Sequence, residues 1–133
     1  MDTRTINEQY ANIGKVLIDT EPQLAYIKDF DVDIIYLSST HAPKKGEGVI
    51  KGQCEKIAEK YKWGIPADFT ITIFEPNCEG MSDDQIKILI FHELLHVGLE
   101  EKDNGDTRMF IRQHDLEDFK YIINRFGTSW AEV

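Results

Sequence analysis

The chain has 133 residues, one domain's length, with ordinary apolar content and a net charge of −9 at neutral pH. So acidic a balance suits phosphate backbones poorly and sets nucleic acid aside as a main partner, and no run of about 18 apolar residues exists to span a membrane. The two cysteines, Cys54 and Cys78, form no CxxC pair, which excludes a four-thiolate zinc site; buried thiols are the expectation, with a single disulfide as the alternative. The opening stretch MDTRTINEQY has no apolar core of the signal-peptide kind, so a cytoplasmic location is expected.

Thr5-Ile6-Asn7-Glu8 reads as a capping box. Ile6, Tyr10, Ile13 and Leu17 follow at helical spacing and predict an amphipathic helix over 6–19. Thr20-Glu21-Pro22-Gln23 is a second start signal, with Leu24 and Ile27 carrying a short helix to about Asp29. The β-formers from Asp33 to Ser39 predict a buried strand, and His41 to Gly46 a loop. His41 has no motif around it and reads as a solvated loop histidine rather than a ligand. Residues 49–61 fit either period; Gly52 argues mildly against a helix, and a strand over 49–57 is favoured. Phe69 to Phe74 is the clearest strand, and Pro76 to Gly80 a loop.

Ser82-Asp83-Asp84-Gln85 is a further capping box, with acids in the first turn to meet the helix dipole. The helix it opens has Ile86, Leu89, Ile90, Leu94 and Val97 as a packing stripe and Gly98 as its end signal. It carries His92-Glu93-Leu94-Leu95-His96. Positions i and i+4 share a helix face, so His92 and His96 can offer two imidazoles to one metal ion with Glu93 beside it. This is the HExxH arrangement of zinc hydrolases. Beyond it, Glu100 to Asp106 is a polar reversal with the turn dipeptide Asn104-Gly105, Met109-Phe110-Ile111 a short strand, and Asp115 the N-cap of a helix over 116–126 closed by Gly127. Trp130 is expected to pack the tail onto the body.

Catalytic zinc takes three protein ligands and keeps a water in the fourth position, so a third ligand is required. Glu100, Glu101, Asp103, Asp106, His114, Asp115 and Glu117 are the candidates. His114 is favoured: it immediately precedes a capped helix, and zinc prefers imidazole. Asp115 reads first as a cap and second as an acceptor for a ligand imidazole N–H. Leu99 and Lys102 stand where the metzincin extension requires glycine and histidine, which excludes that subclass.

HELLHVG, then HDLEDF, then INRFG followed by Trp130, resembles the putative phage metallopeptidase family, a set of small zincin-like proteins. The resemblance runs from about Asp33 to Trp130 and is dense from Ile86 onward. It implies that His92, His96 and His114 hold the metal and that Glu93 is the catalytic acid/base. A looser similarity is to SprT-like zinc proteases, against which the acidic balance and the missing zinc ribbon count.

The expectation is therefore a single compact α+β, zincin-like domain over 1–133, with a small β-sheet packed against the HExxH helix, an N-terminal helix and a C-terminal helix. Its expected chemistry is peptide-bond hydrolysis by a zinc-activated water, one Zn2+ per chain, with Glu93 as general base and acid. Arg112, Lys120 and Tyr121 are candidate oxyanion donors, each with a plainer reading as a surface or packing residue. A zinc amidase acting on a cell-wall amide and a non-catalytic zinc-binding domain are the alternatives. The retained Glu93 favours chemistry, since a structural site has no need of that carboxylate.

Overall fold

A computed structural model of the protein describes residues 2–113. The helix expected over 116–126, the packing of Trp130, and His114, Asp115, Glu117, Lys120 and Tyr121 lie outside the described residues.

The elements run β1 (Arg4–Ile6), α1 (Glu8–Thr20), α2 (Ala25–Asp29), β2 (Ile34–Ser39), β3 (Lys44–Lys45), β4 (Gly48–Val49), β5 (Gly52–Lys56), β6 (Phe69–Phe74), α3 (Asp83–Leu94), β7 (Val97–Glu101) and β8 (Thr107–Ile111), an α+β arrangement. Four strands form the main sheet in the order β1-β2-β6-β5. β2 and β6 pair in parallel, and the two outer pairings are antiparallel. The central strand β6 is the apolar run FTITIF, with Phe69, Ile71 and Ile73 fully buried, as a strand covered on both faces requires. α1 packs on β2 and α3, and α3 packs on β5 and β6. Leu17, Leu24 and Ile27 meet Leu89, Ile90, Phe91 and Leu94 in one core. Cys54 and Cys78 are both buried free thiols, the first of the two expectations, and not a disulfide.

The first helix begins later than its capping signal suggested. Thr5 lies in β1, paired with Ser38, and Asn7 is the true N-cap. Its side-chain oxygen accepts the Tyr10 N–H at 3.0 Å, while its amide donates to Ser38 Oγ at 2.7 Å. A cap that also ties the helix to the sheet displaces one that serves the helix alone. The strand expected over 49–57 is split: Gly48–Val49 closes a hairpin with Lys44–Lys45, and Gly52–Lys56 joins the main sheet. Pro76 lies in a 3₁₀ turn over Glu75–Cys78 rather than in a loop.

The largest difference is at the end of α3, which stops at Leu94 and not at Gly98. Leu95 still donates to Phe91 O at 3.1 Å, but the His96 N–H turns to Glu93 O at 3.1 Å, the tighter bond with which helices finish. Val97 to Glu101 then pairs antiparallel with Thr107 to Ile111. Continuing the helix would keep a few backbone bonds; the hairpin keeps as many and also buries Val97 completely, worth about 1.5–3 kcal/mol. Gly98 faces Phe110 across the pair, and a Cβ there would lie 2.5 Å from the ring. This glycine permits close strand packing instead of ending a helix. The Asn104-Gly105 turn is where expected, closed by Lys102 N–H to Asp106 O at 2.7 Å.

Candidate metal centre

α3 is anchored at its start by a reciprocal capping box. The Ser82 hydroxyl accepts the Gln85 N–H at 3.2 Å, and the Gln85 side chain accepts the Ser82 N–H at 2.8 Å. Leu89, Ile90, Phe91 and Leu94 bury the rest of the helix, so His92 and Glu93 ride on a rigid rod. His96 stands two residues beyond that rod, on the turn into β7. The rings of His92 and His96 nonetheless meet, with centroids 5.1 Å apart and planes at 82°. Two imidazoles bound at about 2.0–2.1 Å to one tetrahedral ion have centroids roughly 5 Å apart, so the spacing of this pair is that of two ligands sharing one ion.

The tautomer of His96 follows from its partner. Nδ1 lies 2.7 Å from the Arg112 carbonyl, which can only accept, so Nδ1 carries the proton and Nε2 presents its lone pair. The same two residues are joined again by Arg112 N–H to His96 O at 2.6 Å. The backbone bond extends the β7–β8 ladder by one step past Val97 and Ile111, and the imidazole adds a side-chain bond beside it.

Glu93 is 5% exposed, and burial pushes its carboxyl from the ordinary 4.5 up to about 8. It is fitted against Gly52 of β5: a Cβ on that residue would lie 3.2 Å from Glu93 Oε2. Sequence reasoning used Gly52 only as a mild argument against a helix. Glycine inside a strand is also the signal of a close approach by another group, and here that group is the acid of the motif. Cys54, two residues on, lines the same cavity. Burial, with Glu93 and Glu55 nearby, pushes its thiol well above the usual range and keeps it protonated.

His92, Glu93 and His96 open onto a cavity of about 500 Å³ bounded by β5, the β3–β4 hairpin and the end of β8, with Lys51 and Gln113 on its wall. The other candidates sit elsewhere. Glu100 is on β7, ion-paired with Arg108 at 3.3 Å; Glu101 ends that strand, exposed; Asp103 and Asp106 are exposed at the hairpin turn. None of the four lines the cavity. His41 is exposed, its ring 6.3 Å from Phe74. Arg112 directs its guanidinium over the Tyr26 ring, 5.3 Å from the centroid, and is not on the cavity wall. Among the described residues no three His, Cys, Asp or Glu side chains converge on one point. Gln113, the last described residue, lies on the cavity wall, and His114 is next in the chain.

The family described as putative phage metallopeptidase matches residues 3–133, nearly the whole chain, and the protein belongs to it. No curated protein and no solved structure matches the chain. Among the described residues no helix is long and apolar enough to cross a membrane.

Proposed function

We propose that the chain is a single zinc-dependent metallopeptidase domain in which His92, His96 and His114 hold one zinc ion and Glu93 is the catalytic acid/base. The observation that carries this reading is the pair of imidazoles 5.1 Å apart, one with its proton committed to a carbonyl, beside a buried carboxyl in an open cavity. When bound, zinc would supply Lewis acidity, making a water acidic and polarising a scissile carbonyl.

The remaining chemistry belongs to Glu93. As carboxylate it takes the proton of the attacking water and then delivers it to the leaving nitrogen. Burial raises the Glu93 pKa in the metal-free fold, and a zinc ion beside it would favour the carboxylate from which this exchange starts. Gly52 keeps space for the carboxyl, and the apolar packing behind it keeps bulk water from its far side.

Support for His114 comes from the path of the chain. The two hydrogen bonds between His96 and Arg112 hold the returning strand against the motif, and Gln113 already lies on the cavity wall. The fit to a protein or peptide substrate rests on the family. Phage membership and two free thiols support action in a bacterial host cytoplasm.

Elemental analysis and a substrate panel test the reading together. We expect one zinc per chain, removable by a strong chelator. Glu93→Gln should retain that zinc and lose turnover on peptides. His114→Ala should weaken zinc binding by several orders of magnitude, on the order of what loss of one ligand in three entails. Absence of transition metal after metal-supplemented purification would refute the proposal, and turnover confined to muropeptides would move the protein to the amidases.

A further inference from the structure

Of the two described histidines of the motif, His96 has the less support from its own helix. His92 lies within the helix; His96 lies on a two-residue turn between α3 and β7, where the regular helical ladder has ended. A metal ligand displaced by even 1 Å is a poor ligand, so something must hold that turn.

The residue that reaches it is Tyr26, on the short helix α2, 70 positions before His96 in the chain. Its hydroxyl lies 2.5 Å from Val97 O and 3.5 Å from Leu94 O. These carbonyls flank the turn: one closes the helix and the other opens the strand. A hydroxyl has one proton, which goes to the nearer Val97 carbonyl, and the Leu94 carbonyl fixes its approach from the other side. The ring of the same tyrosine carries the Arg112 guanidinium at 5.3 Å. Arg112 is in turn the residue whose carbonyl accepts the His96 Nδ1–H and whose N–H donates to His96 O.

We infer that Tyr26 is a positioning residue for the metal centre, bracing the Leu94–Val97 turn with its hydroxyl and seating Arg112 with its ring so that His96 presents Nε2 to the metal. The inference rests on the reading that His92 and His96 bind zinc. Tyr26 itself is not among the described residues that line the cavity. Its two routes converge on one imidazole: the hydroxyl sets the backbone from which the ring hangs, and the ring face holds the strand that sets its rotation. Neither route is visible from α3 itself, since both run through elements distant in the chain.

Tyr26→Phe separates the hydroxyl from the ring. Zinc affinity is measured by competition with a chromogenic chelator, and site geometry by the visible spectrum of the cobalt(II)-substituted protein. We expect zinc affinity about 10–100-fold weaker than wild type, the range found when a group supporting a ligand is removed, with altered cobalt bands. Tyr10→Phe is the matched control. It also removes a half-buried hydroxyl, whose pKa burial and the neighbouring Glu75 push up to about 12, but on α1 and off the cavity wall. It should leave affinity and spectrum as in wild type.

Should Tyr26→Phe fold poorly, Arg112→Ala keeps the accepting carbonyl, removes the guanidinium from the ring, and should weaken zinc several-fold with the same spectral change. Wild-type affinity and spectrum in whichever variant folds would overturn the inference, as would an equal loss in Tyr10→Phe. His92→Ala, which should bind neither metal, checks the underlying reading. If wild-type protein takes up no stoichiometric zinc or cobalt, the metal reading falls and the role of Tyr26 with it; if wild type binds and Tyr26→Phe binds equally well, only the role of Tyr26 falls.

Discussion

His92 and Glu93 occupy the last turn of α3, whereas His96 sits past its end at the root of the β7–β8 hairpin. The helix that carries the first pair is set by local means: a capping box eleven or so residues upstream and an apolar stripe that locks the helix axis. The second histidine is held by strangers to the motif. Arg112, just past the end of β8, returns to bond it twice, and Tyr26 reaches across from α2. A five-residue motif can thus be half helix and half turn. The pattern says which imidazoles meet, and other parts of the chain decide how accurately they do so.

Ligand substitutions break the comparison hardest. His92→Ala and His96→Ala should each reduce zinc affinity by several orders of magnitude, read by chelator competition. In the metal-free protein His96→Ala also removes the Nδ1–H bond to Arg112, which should lower the unfolding free energy by about 0.5–1.5 kcal/mol, read by urea titration.

The helical half has its own pH signature. In the metal-free fold Glu93 keeps its proton up to about 8, while the unfolded chain releases it near 4.5. Across that window the native state binds more protons. The contribution is therefore fully present below about 4.5 and is lost as pH rises through about 8. We expect metal-free stability to decline on the order of a few kcal/mol over that range, measured by urea titration, and Glu93→Gln to flatten the decline. A wild-type profile that rises across the window would show that Glu93 is ionised in the metal-free fold.

The hairpin half is probed by Gly98→Ala. Its Cβ would strike the Phe110 ring, and overpacking of this kind costs about 1–3 kcal/mol. The loss should be accompanied by weaker zinc binding, because the hairpin seats His96. Ser82→Ala is the counterpart on the helix, expected to cost about 1 kcal/mol through the lost cap while leaving zinc affinity nearly unchanged. If the two variants affected zinc equally at matched stability, the hairpin would have no special part in holding the ligand.

The sequence by itself determined the elements whose signals are local. The FTITIF strand, the Ser82 capping box, the Asn104-Gly105 turn and the pairing of two imidazoles around an acid all follow from period, composition and spacing. It also carried the family, because HELLHVG and HDLEDF are patterns of residue identity. Only tertiary structure decided where α3 ends. Leu95 to Val97 reads as a helical continuation with Gly98 as its stop, and only the strand Thr107–Ile111, distant in sequence, offers Val97 a buried partner worth more than another helical turn. The same holds for Asn7 over Thr5, since Ser38 must be beside the cap before Asn7 can serve both. It holds as well for Gly52 and Tyr26, whose roles depend on what lies across the fold from them, Glu93 for one and the His96 turn for the other. Local free-energy differences between helix and strand are a few tenths of a kcal/mol per residue, and one buried side chain outweighs several of them, so long-range packing settles what propensity leaves open.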